Sequence, residues 1–135
     1  MAIILDADVI IAGEKKAFDL ATWMTQQGRE VFEVAAVTVA ELWHGIERAN
    51  AAHRSVRERF IRALLEELPI IPYTAATALE HARIWASLEA SGQAIGDYDL
   101  IVAATALERD SVVATFNKRH FERVRGLRVI EPTLP

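Results

Sequence analysis

Acidic and amide side chains stand directly after the apolar segments of this sequence or at the start of the segments that follow them. The set comprises Asp6, Asp8, Glu41, Asp97, Asp99 and Asn117. In α/β proteins, ligands bind at the carboxyl ends of the strands. We therefore expect these side chains to meet at one edge of a sheet, where carboxylates can do chemistry together.

Clustered carboxylates favour a bound divalent cation. Two carboxylates about 5 Å apart repel by roughly 3 kcal/mol at an effective dielectric of 20, and a cation relieves that repulsion. Oxygen ligands without cysteine suit Mg²⁺ or Mn²⁺ rather than zinc. The histidines, His44, His53, His81 and His120, show no zinc spacing. Carboxylate-held metal activates water and neutralises phosphoryl charge, which is the chemistry of phosphodiester hydrolysis.

The acidic and amide residues after the apolar segments also have purely structural interpretations. Thr38–Glu41 matches a helix capping box, and Asp97 matches a helix N-cap. Asp99 is then an acid in a first helical turn, while Asp8 and Asn117 are turn residues. The functional interpretation depends on all of them lying at the same edge of one sheet.

The hydrophobic pattern predicts strands that alternate with helices. Strands are expected over 2–5, 31–37, 70–71, 111–115 and 127–130, and helices over 14–27, from Thr38, through Val56 to Leu68, and over 74–91 and 97–109. This order predicts a three-layer α/β/α fold with a mostly parallel central sheet. We expect a single domain over residues 1–135.

Composition narrows the class of protein. The 135 residues are 52% hydrophobic and 25% charged, as in globular chains, and the formal net charge is −4. The sequence contains no cysteine, no apolar run long enough for a membrane span and no secretory pattern before Asp6, so we expect a cytoplasmic protein. Serine-hydrolase, P-loop and dinucleotide-binding motifs are also absent from the sequence.

Two stretches are basic despite the negative net charge. One runs from Arg48 to Arg62 and the other from Arg109 to Arg128. Such runs are ordinarily solvated faces, but a local cluster can also contact a phosphate backbone.

The sequence resembles the PIN-domain ribonucleases, specifically the VapC-type (FitB-like) toxins of bacterial toxin–antitoxin pairs. The resemblance is carried by ILDADVIIA, VTVAELWHGIERA, LPIIPYTAATALEHARIWASL, GQAIGDYDLIVAATAL and VATFNKRHFERVRGLRVIEP. It implies a PIN-like fold and Mg²⁺-dependent RNA hydrolysis. Asp6, Glu41 and Asp99 stand at the positions of the catalytic, metal-holding acids, and Asp97 is accessory.

This sequence departs from the family pattern at Asn117, where relatives often carry aspartate, and at Asp8, where they often carry serine, threonine or asparagine. An amide adds no charge, which favours one tightly bound ion over two.

The resemblance also implies an RNA substrate, a homodimer and a cognate antitoxin whose short segment fills the acidic groove. Lys118, Arg119 and Arg123 are candidates for contacts with the RNA backbone. Trp43, Phe60, Leu64 and Trp85 are apolar side chains that serve either the core or such protein contacts.

Two other functions stay open at this point. Asp6-Ala7-Asp8 after an apolar strand is similar to the acid pair of haloacid-dehalogenase-like phosphatases, although Val9 and Ile10 replace their usual glycine and threonine. The second alternative is a non-catalytic regulatory protein whose acidic pocket binds a cation or a partner arginine.

Overall fold

The computed structural model describes residues 2–134 and contains a parallel sheet between two helical layers. The strands are β1 (Ala2–Leu5), β2 (Val31–Ala35), β3 (Ile70–Ile71), β4 (Val112–Ala114) and β5 (Arg128–Ile130). The helices are α1 (Ala7–Glu14), α2 (Leu20–Gln26), α3 (Ala36–Arg48), α4 (Ala51–Glu67), α5 (Ala75–Ala90), α6 (Asp97–Arg109) and α7 (Lys118–Phe121).

The sheet has the order β3-β2-β1-β4-β5, and each neighbouring pair is parallel. β1 is central, with Ile4 in register with Glu33 of β2 and Val113 of β4. The carboxyl ends of all the strands therefore lie along one edge, and the segments that follow β1, β2 and β4 are brought side by side there.

Successive side chains of a strand face opposite sides of the sheet, so the sheet separates two hydrophobic cores. Ile3 and Leu5 face the layer formed by α1 to α4, where they pack with Val9 and Trp23. Ile4 faces the opposite layer, formed by α5, α6 and α7. Two-sided burial is expected of a parallel sheet, and it confirms the three-layer α/β/α prediction. Within the described residues, no helix combines the length and the apolar character needed to cross a membrane.

The predicted helix over residues 14–27 is confirmed over α2 and wrong over residues 15–19, which are not helical. α1 ends at Glu14, and α2 starts at Leu20, where Asp19 Oδ1 accepts a hydrogen bond from Thr22 N at 3.1 Å. A Cβ added to Gly13 would stand 2.9 Å from Leu20 Cβ, so the close crossing of α1 and α2 requires a glycine. The hydrophobic pattern thus started α2 six residues too early and missed α1.

Two predicted helix caps are also wrong. α3 begins two residues before Thr38, which is buried inside the helix instead of capping it. α6 has Gly96 as its N-cap, and Asp97 is the first helical residue. The structural interpretation of Glu41 as half of a capping box therefore fails.

An ion pair links α6 to strand β2. Glu33 on β2 is 4% exposed, and its carboxylate accepts hydrogen bonds from Arg109 Nε at 3.3 Å and Nη2 at 2.5 Å. Arg109 is the last residue of α6. α6 carries Asp99 in its first turn, and its last residue is thus bonded to strand β2.

The apolar side chains considered for protein contacts divide between core and surface. Trp43, Phe60 and Leu64 pack against the first core. Trp85 is 52% exposed on α5, where its ring stacks on His81. His81 Nδ1 lies 2.8 Å from the hydroxyl of the exposed Tyr73. An aromatic surface therefore remains on α5.

Candidate active site

Asp6 joins the central strand to the first helix and is 5% exposed. Its backbone N donates to Ala114 O at 2.9 Å, which fastens the end of β1 to β4. Its Oδ1 accepts from Ala7 N at 2.9 Å, and its Oδ2 accepts from Thr115 Oγ1 at 2.7 Å. As the N-cap of α1, Asp6 is held at the carboxyl edge of the sheet with both oxygens oriented.

Asp8 lies in the first turn of α1 and bonds to the segment after β4. Its Oδ2 accepts from Phe116 N at 3.1 Å and lies 3.4 Å from Thr115 Oγ1. Its Oδ1 is buried and has no hydrogen-bond partner. Asp8 is therefore part of the site, and its interpretation as a turn residue is wrong.

Glu41 enters the same region from α3. Its Oε1 is buried without a hydrogen-bond partner. The side chain lines an open cavity of about 420 Å³ together with Gly96, Asp97, Tyr98 and Asp99. The helix that follows β2 and the first turn of α6 thus meet across one cavity.

Asp99 contacts the loop after β4 through Asn117. Asn117 Nδ2 donates to Asp99 Oδ2 at 3.2 Å and lies 2.9 Å from His120 Nδ1. Asp99 Oδ2 is also 4.0 Å from His120 Nδ1. Asn117 is the N-cap residue of α7, although its side chain makes no cap hydrogen bond.

The four carboxylates hinder one another's ionisation. Burial, and then the neighbouring Asp8 charge, raise the pKa of Asp6 to about 7. Burial, and then the Asp99 and Asp8 charges, raise the pKa of Glu41 to about 7. Burial also raises the pKa values of Asp8 and Asp99, although hydrogen bonds from Phe116 and Asn117 oppose these shifts. Titratable groups perturbed in this way are candidates for a functional site.

A family model described as PIN domain matches residues 3–127. This chain belongs to the PIN-domain family. The tRNA(fMet)-specific endonuclease VapC of Shigella flexneri is 33% identical over 95 residues, 70% of each chain. The structure of DNA-bound VapBC from Salmonella typhimurium superposes with a TM-score of 0.88 and 25% identity, covering 97% of this chain and 98% of that one.

A second similar structure is a member of the VapBC family of toxin–antitoxin systems, VapBC-5 from Mycobacterium tuberculosis. Its TM-score is 0.74 at 26% identity, and the superposition covers 98% of both chains. The resemblance to VapC-type PIN domains is thereby confirmed. Membership of this family also removes the support for a haloacid-dehalogenase-like phosphatase.

The donor set of this PIN domain suits a hard cation. The candidate ligands are carboxylate oxygens, which only accept hydrogen bonds, and the buried Asp8 Oδ1 and Glu41 Oε1 have no donor to satisfy them. Over residues 2–134, no three carboxylate, imidazole or thiol groups are close enough to form a ready-made ligand shell. The carboxylates nevertheless act on one another electrostatically, as the raised pKa values of Asp6 and Glu41 indicate.

The other predicted site residues lie at the rim of the PIN domain. Asp97 is exposed on the wall of the open cavity. Lys118 pairs with Glu122 at 3.6 Å, and Arg123 Nη1 donates to Ala94 O at 3.0 Å. Arg119 is exposed and has no ion-pair partner among the described residues. Of the three basic candidates, Arg119 is the one available to a ligand.

Two residues contribute more to the site than sequence reasoning expected. Thr115 is fully buried and bonds Asp6, while its Oγ1 accepts from Asn117 N at 2.9 Å. His120, singled out in the sequence only as lacking zinc spacing, contacts both Asn117 and Asp99. The position of Thr115, directly after an apolar strand like Asp6, was the available signal.

Proposed function

We propose that this chain is a Mg²⁺-dependent endoribonuclease that acts as the toxin of a toxin–antitoxin pair. The observation that carries the proposal is the meeting of Asp6, Asp8, Glu41 and Asp99 at the carboxyl edge of the sheet, where two buried carboxylate oxygens have no partner. The names of the similar proteins supply the substrate class and the pairing with an antitoxin.

Asp6, Glu41 and Asp99 are the residues that would hold Mg²⁺, with Mn²⁺ as a substitute. When bound, the cation lowers the pKa of a water and neutralises charge on the phosphoryl group. Thr115 keeps Asp6 oriented by donating to its Oδ2 at 2.7 Å. Asn117 does the same for Asp99 by donating to its Oδ2 at 3.2 Å. Asp8 adds negative charge beside them.

The RNA would reach these carboxylates through the open cavity between α3 and α6. Its wall carries Tyr98, which is 54% exposed and offers a ring on which an unpaired base can stack. Arg119 would contact the backbone phosphates, with Lys118 and Arg123 beside it. Backbone contacts position an RNA strand without selecting its sequence.

The partner proteins would use the apolar surfaces. A cavity of about 450 Å³ is lined by Phe18, Leu20, Met24, Phe60 and Leu64, and a smaller one of about 120 Å³ adjoins Glu41. We expect the antitoxin segment to lie along them with an arginine against the carboxylates, because a guanidinium pairs with carboxylates in two hydrogen bonds. The homodimer would cover the aromatic surface of α5. The protein would act in the cytoplasm.

The test is cleavage of total cellular RNA by the antitoxin-free protein, with Mg²⁺, with Mn²⁺ and with a chelator. Discrete fragments are expected with either cation and none with the chelator. Asp6→Asn and Asp99→Asn should abolish cleavage and stay folded, because each removes a repelling charge. In Asp6→Asn, the amide oxygen can still accept a hydrogen bond from Ala7 N, which caps α1.

The same assay distinguishes the nuclease from the remaining alternative, a non-catalytic regulatory protein. Intact RNA in every lane, from protein shown to be folded and free of inhibitor, contradicts the nuclease. If Asp6→Asn and Asp99→Asn then kept the effect of expression on growth, a non-catalytic binding protein would be the better description.

A further inference from the structure

One side of the Asp99 carboxylate faces a hydrogen-bond donor that belongs to the chain itself. Asn117 Nδ2 lies 3.2 Å from Asp99 Oδ2 and 2.9 Å from His120 Nδ1. An amide nitrogen carries two hydrogens, so it can make both contacts at once. The amide therefore bridges the carboxylate and the imidazole.

The neighbours of the amide determine which way it faces. An ionised carboxylate only accepts, so the amide atom next to Asp99 is the nitrogen and not Oδ1. In a neutral imidazole that carries its proton on Nε2, His120 Nδ1 accepts the second hydrogen of the amide. With both donors used, Asn117 Oδ1 is directed away from Asp99.

This orientation limits how cations can share Asp99. An ion held jointly by Asp99 and residue 117 needs an oxygen of residue 117 beside the carboxylate. The amide presents N–H there, whose positive end repels a cation. Two-metal sites place a second ion roughly 4 Å from the first, between carboxylates that both face it.

We propose that Asn117, held in place by His120, takes the role of a second cation at Asp99, so that the site binds one divalent ion between Asp6, Glu41 and Asp99. His120 is then a positioning residue that acts through Asn117. The inference rests on the proposed function only in requiring that the carboxylates bind a cation.

The number of bound ions tests this directly. Mn²⁺ is titrated into the full chain without RNA or antitoxin, and free Mn²⁺ is followed by its electron paramagnetic resonance signal. We expect one Mn²⁺ per wild-type chain and two for Asn117→Asp, because aspartate replaces the donor with oxygen and adds charge. Circular dichroism melting confirms that both proteins are folded.

Variants of His120 separate positioning from a general structural effect. His120→Leu removes the acceptor for Asn117 Nδ2 and is expected to weaken Mn²⁺ binding about tenfold, as the loss of outer contacts to metal ligands does. His120→Gln keeps an acceptor oxygen and should stay within about twofold of wild type. His53→Leu, at an exposed histidine on α4, is the matched control and should leave Mn²⁺ binding unchanged.

The outcomes are distinguishable. Two Mn²⁺ ions bound per wild-type chain would overturn the inference without contradicting cation-dependent cleavage. A single Mn²⁺ ion bound per chain of Asn117→Asp would do the same. Equal losses in His120→Leu and His120→Gln also contradict the role of His120. A wild type that binds no Mn²⁺ and cleaves RNA in chelator would instead remove the cation from the proposed function.

Discussion

At the scale of single residues, the acids of the site differ in how completely their oxygens are hydrogen-bonded. One oxygen of Asp8 accepts from the backbone of Phe116, while its other oxygen is buried without a donor. Asp6 has both oxygens bonded, and the bond from Thr115 is the shortest of them. The chain thus orients the acids while leaving acceptor oxygens free for a cation.

Removing the Thr115 hydroxyl tests that orientation. Thr115→Val keeps the shape but deletes the donor to Asp6 Oδ2 and the acceptor for Asn117 N. We expect a loss of about 1–3 kcal/mol in the free energy of unfolding, since buried groups lose their partners. RNA cleavage should fall about tenfold at saturating Mg²⁺.

Thr115→Ser is the control for this change, because it keeps the hydroxyl and loses only a methyl group. Urea unfolding and a cleavage time course measure the two effects. A Thr115→Val protein with wild-type cleavage would show that the hydroxyl does not orient Asp6.

The raised pKa values predict how stability depends on pH. Burial and neighbouring carboxylates raise the pKa values of Asp6 and Glu41 to about 7, from ordinary values of 3.8 and 4.5. At pH values between the ordinary and the raised pKa values, the folded chain binds more protons than the unfolded chain. The free energy of unfolding therefore falls as pH rises. Without metal, we expect the Tm at pH 5.5 to exceed that at pH 8 by roughly 3 °C or more.

Mg²⁺ should reduce this difference, because it replaces the protons as the positive partner of the carboxylates. Asp6→Asn should flatten the metal-free slope, and differential scanning calorimetry across the pH range measures both. A wild-type Tm that rose with pH through this window would mean that the pKa values of Asp6 and Glu41 are not raised in the folded chain.

At the scale of elements, α6 connects the site to the sheet. Its first turn carries Asp99, and its last residue, Arg109, reaches Glu33 in β2. The Arg109–Glu33 ion pair holds the carboxyl end of α6 against β2. Asp99 is thereby fixed relative to the strand that leads into α3 and Glu41.

Breaking that pair tests its structural role. Arg109→Ala leaves the carboxylate of Glu33, which is 4% exposed, without its partner. We expect a loss of about 2–3 kcal/mol in the free energy of unfolding, at the low end for a buried pair because Arg109 is partly exposed. Guanidinium unfolding measures it.

The double variant Glu33→Leu/Arg109→Met is the control, because it replaces both charges with apolar groups. It should recover most of the lost stability. Destabilisation by Arg109→Ala that was no greater than that of Arg54→Ala, whose salt bridge is exposed, would contradict this account.

Sequence reasoning placed the strands and the long helices α5 and α6 within a residue or two, because their apolar patterns and flanking glycines are local. It failed around α1, α2 and the start of α3, where a glycine crossing at Gly13 and a helix without a side-chain cap decide the boundaries. It grouped the carboxylates correctly from strand order. The Asn117–His120 contact depends on side-chain rotamers, which no residue pattern encodes.

At the scale of the whole molecule, charge is distributed unevenly around a net value of −4. Asp6, Asp8, Glu41 and Asp99 lie at the carboxyl edge of the sheet, while most arginines of the basic stretches make ion pairs or backbone contacts. Arg128 bonds to Asp110, and Arg57 bonds to Gly45 O at 3.1 Å. If the chain binds RNA as proposed, the binding depends on the few cations that are left without an ion-pair partner, such as Arg119 among the described residues.

Arg119 is the cation whose removal should weaken RNA binding. Arg119→Ala is expected to lower affinity for different RNA sequences about equally and to reduce the slope of log affinity against log salt by about one. Arg29→Ala is the matched control, because Arg29 precedes β2 at the opposite edge of the sheet. Filter binding at several salt concentrations measures the slopes, and equal slopes for the two variants would exclude Arg119 from the RNA contact.

The hydrogen bond between Thr115 and Asp6 joins residues 109 positions apart, and that between Phe116 and Asp8 joins residues 108 apart. The first acids to be translated therefore acquire their geometry only after β4 and the loop behind it have been synthesised and have docked. A nascent chain still lacking that segment has no complete centre. If the chain cuts RNA as proposed, the ribosome that makes it is exposed to the finished enzyme only, and a truncated translation product is harmless.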